Sequence, residues 1–390
     1  MPRKPDPGRH GVINVFQPAL GDQELAAVRE VFESGWIGRG ERTRAFEEAF
    51  AKHLGVGGDH VTSLNSCTEA LFLAMELLEV GPGCDVVLPT VSWVGAANAV
   101  AARGARPVFC DVDPRTLNAT ADDVVAALTP RTRAVIVLHY GGYPGEVAAI
   151  AEVCRERGIA LVEDAACAVA SRVDGEACGT FGDIGVWSFD AMKIVVAGDG
   201  GMLYARDPVL VARATKLAYL GLEQVSGFDS ARRGAYRWWE IDVSSFSRRS
   251  ITNDLAAAIG HVQLGRLGEF VSRRRAIAEH YDRELADVPG LHCPPPLPAG
   301  HESSYYLYWV QLDGGIRDAV ARRLYERGIY TTFRYPLLHR VPAYRAGSPL
   351  PRAEWAAQAT LCIPLHQGLD DGAVERVVTE LRAAVLDGGR

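Results

Sequence analysis

The chain has 390 residues, 48% of them hydrophobic and 23% charged, an ordinary globular mixture that excludes disordered, collagen-like and coiled-coil classes. Forty-one basic against 48 acidic residues leave a net charge of −7, so nucleic acid is excluded as a partner. No apolar run reaches the roughly 18 residues of a membrane span. The first ten residues lack a signal-like apolar segment, so no membrane contact and a cytoplasmic setting are expected. In such a setting the eight cysteines, none in a C-x-x-C pair, read as reduced thiols.

Residues 20–35 and 41–54 read as amphipathic helices around the turn Gly35-Trp36-Ile37-Gly38-Arg39-Gly40. Asn65-Ser66-Cys67-Thr68-Glu69-Ala70-Leu71 opens an apolar helix, and Ser66-x-x-Glu69 has the spacing of a capping box. Such a start is either a well-capped helix or a phosphate cradle, since its free N–H groups and dipole favour an anion. From about residue 80 to 205, short apolar runs at 85–89, 107–110, 134–138, 159–163, 185–188 and 201–205 alternate with helical segments such as 121–128 and 146–157. This is the rhythm of a doubly wound, mostly parallel α/β sheet, whose ligands lie beyond the carboxyl ends of the strands. Trp93, just past the first of these runs, is either core or a face on which a ring stacks.

Downstream, 222–250 is unpatterned, with Trp238-Trp239 near Arg232, Arg233 and Arg237 fitting a diphosphate-linked base or an aromatic interface equally well. A long helix is expected over 254–285 with a break near Gly268. The run Pro294-Pro295-Pro296 then separates a strand at 305–312, a helix at 316–328 and a last helix at 370–386. We divide the chain into a large domain, 1–260, and a smaller C-terminal α/β domain, 261–390.

Only four of the 41 basic residues are lysines: Lys4, Lys52, Lys193 and Lys216. A chain that otherwise writes arginine uses an amine where an amine is needed. Lysine can lose its proton and attack a carbonyl, which a guanidinium cannot. Lys193 lies between an apolar strand and the run Gly198-Asp199-Gly200-Gly201, where desolvation should lower its pKa. Asp164 follows the strand at 159–163. Alone it is a helix cap or metal ligand; beside a buried lysine it suits a pyridinium N–H. His139 reads as structural, Tyr335 and His339 as weaker site candidates, and no His/Cys/Asp/Glu cluster has metal-ligand spacing. Gly198-Asp199-Gly200-Gly201 leads into a strand rather than a helix, which argues against nicotinamide binding.

Taken in order, Ser34-Gly35-Trp36, Asn65 to Leu71, Gly81-Pro82-Gly83 with Val87-Leu88-Pro89, Asp111-Val112-Asp113, Glu163-Asp164-Ala165-Ala166, Ser188-Phe189 with Lys193, Ala257-Ala258-Ile259-Gly260 and Ile363-Pro364-Leu365-His366-Gln367-Gly368-Leu369 span almost the whole chain. In this order they resemble the pyridoxal phosphate (PLP)-dependent fold-type-I aminotransferases of the DegT–StrS type, which act on nucleotide-linked keto sugars. The resemblance implies Lys193 as the lysine that holds PLP and shuttles protons, and Asp164 as the partner of the pyridine nitrogen. It implies Trp93 as the stacking ring, with Cys67, Thr68 and Ser188 on the phosphate. Cys167 stands where the family usually places Gln or His near the cofactor's phenolic oxygen. Arg249, or with a small slip Arg248 or Asn253, occupies the place of the residue that reaches the partner's phosphate across a homodimer with its active site at the interface. Trp36, Tyr335 and His339 fall where the sugar substrate is expected.

The implied activity is amination of a nucleotide-linked keto sugar, foremost a 4-keto-6-deoxy sugar, with glutamate as donor, in amino sugar or antibiotic assembly. A 3-keto sugar, a keto-cyclitol or a non-catalytic PLP-binding regulator are the alternatives. The related dehydrating branch carries histidine in place of the lysine, and Lys193 argues against it.

Overall fold

The computed structural model describes residues 11–223, 231–232, 234, 236–344 and 346–388. Helices α1 (Asp22–Glu33) and α2 (Glu41–Leu54) come first, the latter as expected to the residue. Strand β1 (Val61–Leu64) then enters α3 (Cys67–Leu77). Strands β2 (Asp85–Pro89), β3 (Arg106–Cys110), β4 (Thr132–Leu138) and β5 (Ala160–Asp164) alternate with α4 (Val94–Ala102), α5 (Ala121–Ala127) and α6 (Val147–Glu156). A short hairpin, β6 (Arg172–Val173) and β7 (Glu176–Ala177), precedes β8 (Ile184–Ser188) and β9 (Gly201–Ala205).

Seven of these strands form one sheet in the order β1-β9-β8-β5-β4-β2-β3. The pairs among β2, β3, β4, β5 and β8 are parallel, and only β9 runs against both its neighbours. The expected α/β architecture is therefore present. The middles of its parallel strands are apolar because both faces are covered. Val87, Val135 and Leu161 point to one side, among Phe46, Phe50 and Ile150; Val86, Ile136 and Val162 point to the other, among Leu71, Val100 and Leu217. Successive residues of a strand thus serve two different cores, as the two-residue period requires.

After α7 (Pro208–Leu217) the chain crosses 222–250, whose described residues carry isolated bridges such as Tyr219 to Arg249. Arg233 lies outside the described residues. Helices α8 (Asp254–Gly265) and α9 (Leu267–Leu285) are the expected long helix with its break. The break falls at Arg266, two residues before Gly268. Strands β10 (Leu291–His292), β12 (Tyr308–Leu312) and β13 (Thr360–Ile363) form a second sheet, and β11 (His301–Glu302) joins the β6–β7 hairpin. Helices α10 (Arg317–Glu326), α11 (Pro351–Ala359) and α12 (Asp371–Leu386) complete the chain. The strand expected from Tyr305 begins only at Tyr308. Residues 304–307 instead bond to Gly141 and Gly142 of the large sheet's rim.

Those docking residues are held from behind by a buried cation. Arg274 is 1% exposed, and its guanidinium donates to the carbonyls of Tyr305, Tyr306 and Leu365 at 3.1, 3.3 and 2.9 Å and to Gln367 Oε1 at 2.8 Å. Burial pulls its pKa down to about 10, which still leaves it charged at neutral pH. Arg274→Met keeps the apolar stem but orphans three buried carbonyls. It is expected to cost about 3 kcal/mol, read as a fall of several degrees in melting temperature; an unchanged midpoint would remove the clamp.

Candidate active site

The sheet presents two candidate side chains at the carboxyl ends of its parallel strands. Asp164 is the last residue of β5, opposite Leu138 and Val186, and Ser188 is the last of β8, opposite Gly201. Lys193 sits in the turn that follows, its N–H donating to the Asp190 carbonyl at 2.9 Å. Asp164 is 2% exposed. Its Oδ1 accepts the Ala166 N–H at 3.1 Å, and no described residue donates to the other oxygen. Burial raises the Asp164 pKa, against the pull of Lys193 and His139.

Lys193 Nζ lies over the Tyr306 ring, 4.6 Å from its centroid. The expected depressed lysine pKa is not what the structure gives. Burial alone would lower it, but Cys167, Tyr306, Asp164 and Cys67 share the compartment and together hold it above the ordinary value. The scarcity of lysine marks the amine, whereas the acids gathered around it come from other segments of the chain.

Cys67 opens α3, with Thr68 second. Ser66 caps the helix by accepting the Glu69 N–H at 3.1 Å, but the reciprocal half of the capping box is absent because the Glu69 carboxylate accepts Arg248 Nε at 3.0 Å. Gly201 abuts this start so closely that a Cβ there would stand 2.5 Å from Cys67 N and 2.4 Å from the Ser66 carbonyl carbon. The glycine run therefore lets β9 meet a helix N-terminus. A cavity of about 490 Å3 opens against it, lined by Asn65, Ser66, Ala197, Asp199, Thr252 and Asn253.

Trp93 precedes α4 with 47% of its surface exposed and its ring tilted 5.9 Å from that of Tyr335. A Cβ on Gly95 would touch both Trp93 and Thr68, which puts the indole beside the helix start. Tyr335 is buried, and its hydroxyl is 3.5 Å from Cys167 Sγ. Ser188 Oγ accepts the Asp190 N–H at 3.3 Å.

The structure thus gathers Lys193, Asp164, Cys67, Cys167 and Tyr335 in one compartment, with Thr68 and Trp93 at its helix-start end and Ser188 one strand away. It does not gather His339 with them. Both ring nitrogens of that residue are engaged, Nδ1 with Thr90 Oγ1 at 2.7 Å and Nε2 with Glu354 Oε1 at 3.0 Å. His339 is a strut between the Trp93 loop and the Tyr335 segment. Trp36 is 61% exposed, its Nε1 donating to the Arg39 carbonyl at 3.1 Å. Of the three candidates for a cross-subunit contact, Arg248 is spent on Glu69 and Asn253 caps α8 through the Ala256 N–H at 3.0 Å. Arg249 is exposed, its guanidinium 5.2 Å over Tyr219. Two site residues were missed. Tyr306 lay in an aromatic run that read as strand, and Arg334, over the Phe16 ring at 4.7 Å, was passed over between its neighbours.

These residues fit PLP. A buried carboxylate with one free oxygen, a lysine in the same compartment, a helix N-terminus against a cavity and a half-exposed indole are the groups a pyridinium, an aldehyde, a phosphate and a flat ring would engage.

The family model described as "DegT/DnrJ/EryC1/StrS aminotransferase family" matches residues 18–382. The chain is 62% identical over 374 residues to a dTDP-4-dehydro-2,3,6-trideoxy-D-glucose 4-aminotransferase of Saccharopolyspora spinosa, covering 96% of this chain and 97% of that one. It is similar to the crystal structure of the aminotransferase TlmJ of Streptoalloteichus hindustanus, with 66% identity, a TM-score of 0.93, and 97% and 100% of the two chains covered. The PLP form of a putative sugar aminotransferase, Spr1654 of Streptococcus pneumoniae, shares the fold at 24% identity, with a TM-score of 0.88 over 97% and 99% of the chains.

A carboxyl whose pKa is raised on folding makes folding less favourable once it ionises. The penalty begins as pH rises past the unfolded value, near 3.9, and is complete above the folded one. Asp164→Asn is accordingly expected to melt higher than the wild-type apoenzyme at pH 8, with the gap closing as pH falls into the carboxylate range, while turnover is lost. A lower melting point at pH 8 would contradict this.

Proposed function

This chain belongs to the DegT/DnrJ/EryC1/StrS aminotransferase family, whose aminotransferases are PLP enzymes, and we propose that it moves the amino group of glutamate onto the 4-keto carbon of a 6-deoxy sugar carried on a nucleoside diphosphate. The observation that carries the chemistry is the sharing of one buried compartment by Lys193 and Asp164. The substrate class follows the Saccharopolyspora relative.

When bound, PLP supplies a conjugated ring that takes up the electron pair left as a C–H bond breaks. Lys193 is the residue that anchors it and, once released, carries a proton between carbon atoms as general acid and base. Asp164 keeps the ring nitrogen protonated; its burial strengthens that contact, because few other donors compete for the carboxylate. Thr68, the Cys67 N–H and Ser188 hold the phosphate, and Trp93 covers the ring. Cys167, with the Tyr335 hydroxyl 3.5 Å from its sulfur, stands where the family's Gln or His would meet the phenolic oxygen. Arg334 is a cation that a glutamate carboxylate would meet.

We assign lobes 1–260 and 261–390; in support, Ile277, Tyr308, Leu324 and Val377 belong to an apolar cluster apart from those flanking the large sheet. The working unit is a homodimer. Exposed Leu25, Phe32, Trp36, Ile37, Trp238, Trp239 and Phe246 supply the apolar surface such an assembly buries. Arg249 supplies a guanidinium without an ion pair among the described residues. The setting is cytoplasmic, in keeping with a described chain in which no helix is long and apolar enough to cross a membrane.

The PLP-loaded protein should be yellow, bleach on addition of glutamate and regain its band with a nucleotide-linked 4-keto sugar, whereas Lys193→Ala should never form the borohydride-fixable lysine adduct. Bleaching that only a keto-cyclitol reverses would move the assignment there. If Arg249 reaches its partner's phosphate, Arg249→Ala should release PLP at least ten-fold more readily. Mixing it with Lys193→Ala should then restore one intact site per heterodimer, up to about half of wild-type activity in the heterodimer fraction. Mixed subunits as inactive as their parents would remove the shared site.

A further inference from the structure

Tyr306, whose ring faces Lys193, is held at both ends of its main-chain unit. Its N–H donates to the Gly141 carbonyl at 2.9 Å, and its own carbonyl accepts Arg274 Nη1 at 3.3 Å. Its ring stacks on Phe16 at 5.4 Å between centroids and 25° between planes, and it is 1% exposed. Yet its hydroxyl, fully enclosed, makes no hydrogen bond of normal geometry. The Lys193 amine attracts it from over the ring face, 4.6 Å from the centroid.

An enclosed hydroxyl without a partner costs roughly 1–3 kcal/mol relative to a satisfied one. Phenylalanine would stack on Phe16, hold the same two main-chain bonds and carry no such penalty. Packing therefore accounts for the ring and leaves the oxygen unexplained. The groups in electrostatic reach of that oxygen are Lys193, Cys167 and Arg334, and only Lys193 changes place during the proposed reaction.

We propose that Tyr306 is a positioning residue for Lys193: its hydroxyl oxygen accepts one N–H of the released amine and aims the nitrogen lone pair at the carbon that exchanges its proton. Rotation about the last bonds of the lysine carries Nζ from the ring face to the hydroxyl edge. The proton passes between Lys193 and carbon; Tyr306 keeps its own. This rests on the reading of Lys193 given above. A misdirected general base loses on the order of 10- to 100-fold in rate.

The test is Tyr306→Phe in the PLP-loaded enzyme. The apoenzyme should melt at the wild-type temperature or above it, the borohydride-fixable adduct should form as in wild type, and KM for glutamate and for the keto sugar should stay within about two-fold. At the same time kcat should fall about 10- to 100-fold, and the isotope effect with glutamate deuterated at Cα should grow, because proton transfer has become the slow step. Unchanged kcat and isotope effect would overturn the proposal. So would a raised KM for the sugar alone, which would make the hydroxyl a substrate contact. A lowered melting temperature with a matching loss of active protein would make the residue structural and also overturn it. Failure of the wild-type enzyme to form the lysine adduct would sink the Lys193 reading itself, an outcome visible before any Tyr306 variant is made.

Discussion

An amine and a carboxylate taken out of water together are the constraint around which this protein is built. Asp164 is buried and Lys193 half-buried, and each lies within the other's field. Either charge is expensive at that depth, and their mutual attraction offsets the cost of burying the carboxylate only in part, so its pKa stays above the ordinary value. The parallel sheet makes the arrangement possible. Strands β5 and β8 end side by side, so a residue at the tip of one and a turn beyond the tip of the other face a common space without any helix having to bend.

The second lobe meets that space through main-chain bonds as well as side-chain packing. Gly141 and Gly142 have φ of +64° and +82°, conformations that turn their carbonyls toward residues 304–307. A Cβ on Gly142 would stand 2.7 Å from the Cys167 carbonyl oxygen, and one on Gly141 would stand 2.8 Å from the Trp309 ring. Two glycines at the end of one strand thus set how deeply Tyr306 enters. On the far side, the Thr90–His339–Glu354 chain ties the loop carrying Trp93 to the segment carrying Tyr335. The two aromatic groups are thereby positioned by one polar relay.

Much of this was legible in the sequence, and what was not has definite reasons. Lys193 stood out because lysine is scarce and its flanks are apolar; Asp164 stood out because strand ends carry ligands in such sheets. Strand β1, Val-Thr-Ser-Leu, escaped because half of its residues are polar, although all four are buried by pairing with β9. Tyr306 escaped because Tyr-Tyr-Leu-Tyr-Trp alternates like a strand, and its role depends on a contact with a turn some 165 residues earlier. His339 and Tyr335 looked alike at four residues' separation, but the intervening turn sends one into the compartment and the other toward Glu354. The pKa of Lys193 had the opposite sign from expectation because burial was inferable from its neighbours in sequence, whereas the acids around it come from three other segments.

Glu163 and Asp164 show most directly what separates a structural carboxylate from a reactive one. They are consecutive in one strand and both enclosed, so the pleat sends them to opposite faces. Glu163 meets Gly179 N–H at 2.6 Å, Gly182 N–H at 2.7 Å and His139 Nε2 at 3.1 Å, so each of its oxygens is occupied. Burial works to lower the His139 pKa, but Cys178 and Glu163 outweigh it and bring the imidazole up to about 10. Asp164, one peptide further on, receives a single backbone N–H. The fold saturates the first carboxylate, which then can do nothing further, and leaves acceptor capacity on the second, where a pyridinium donor would be bound in a setting that excludes water. Chemical identity is nearly the same at both positions; the number of donors the chain supplies decides which one is available for catalysis.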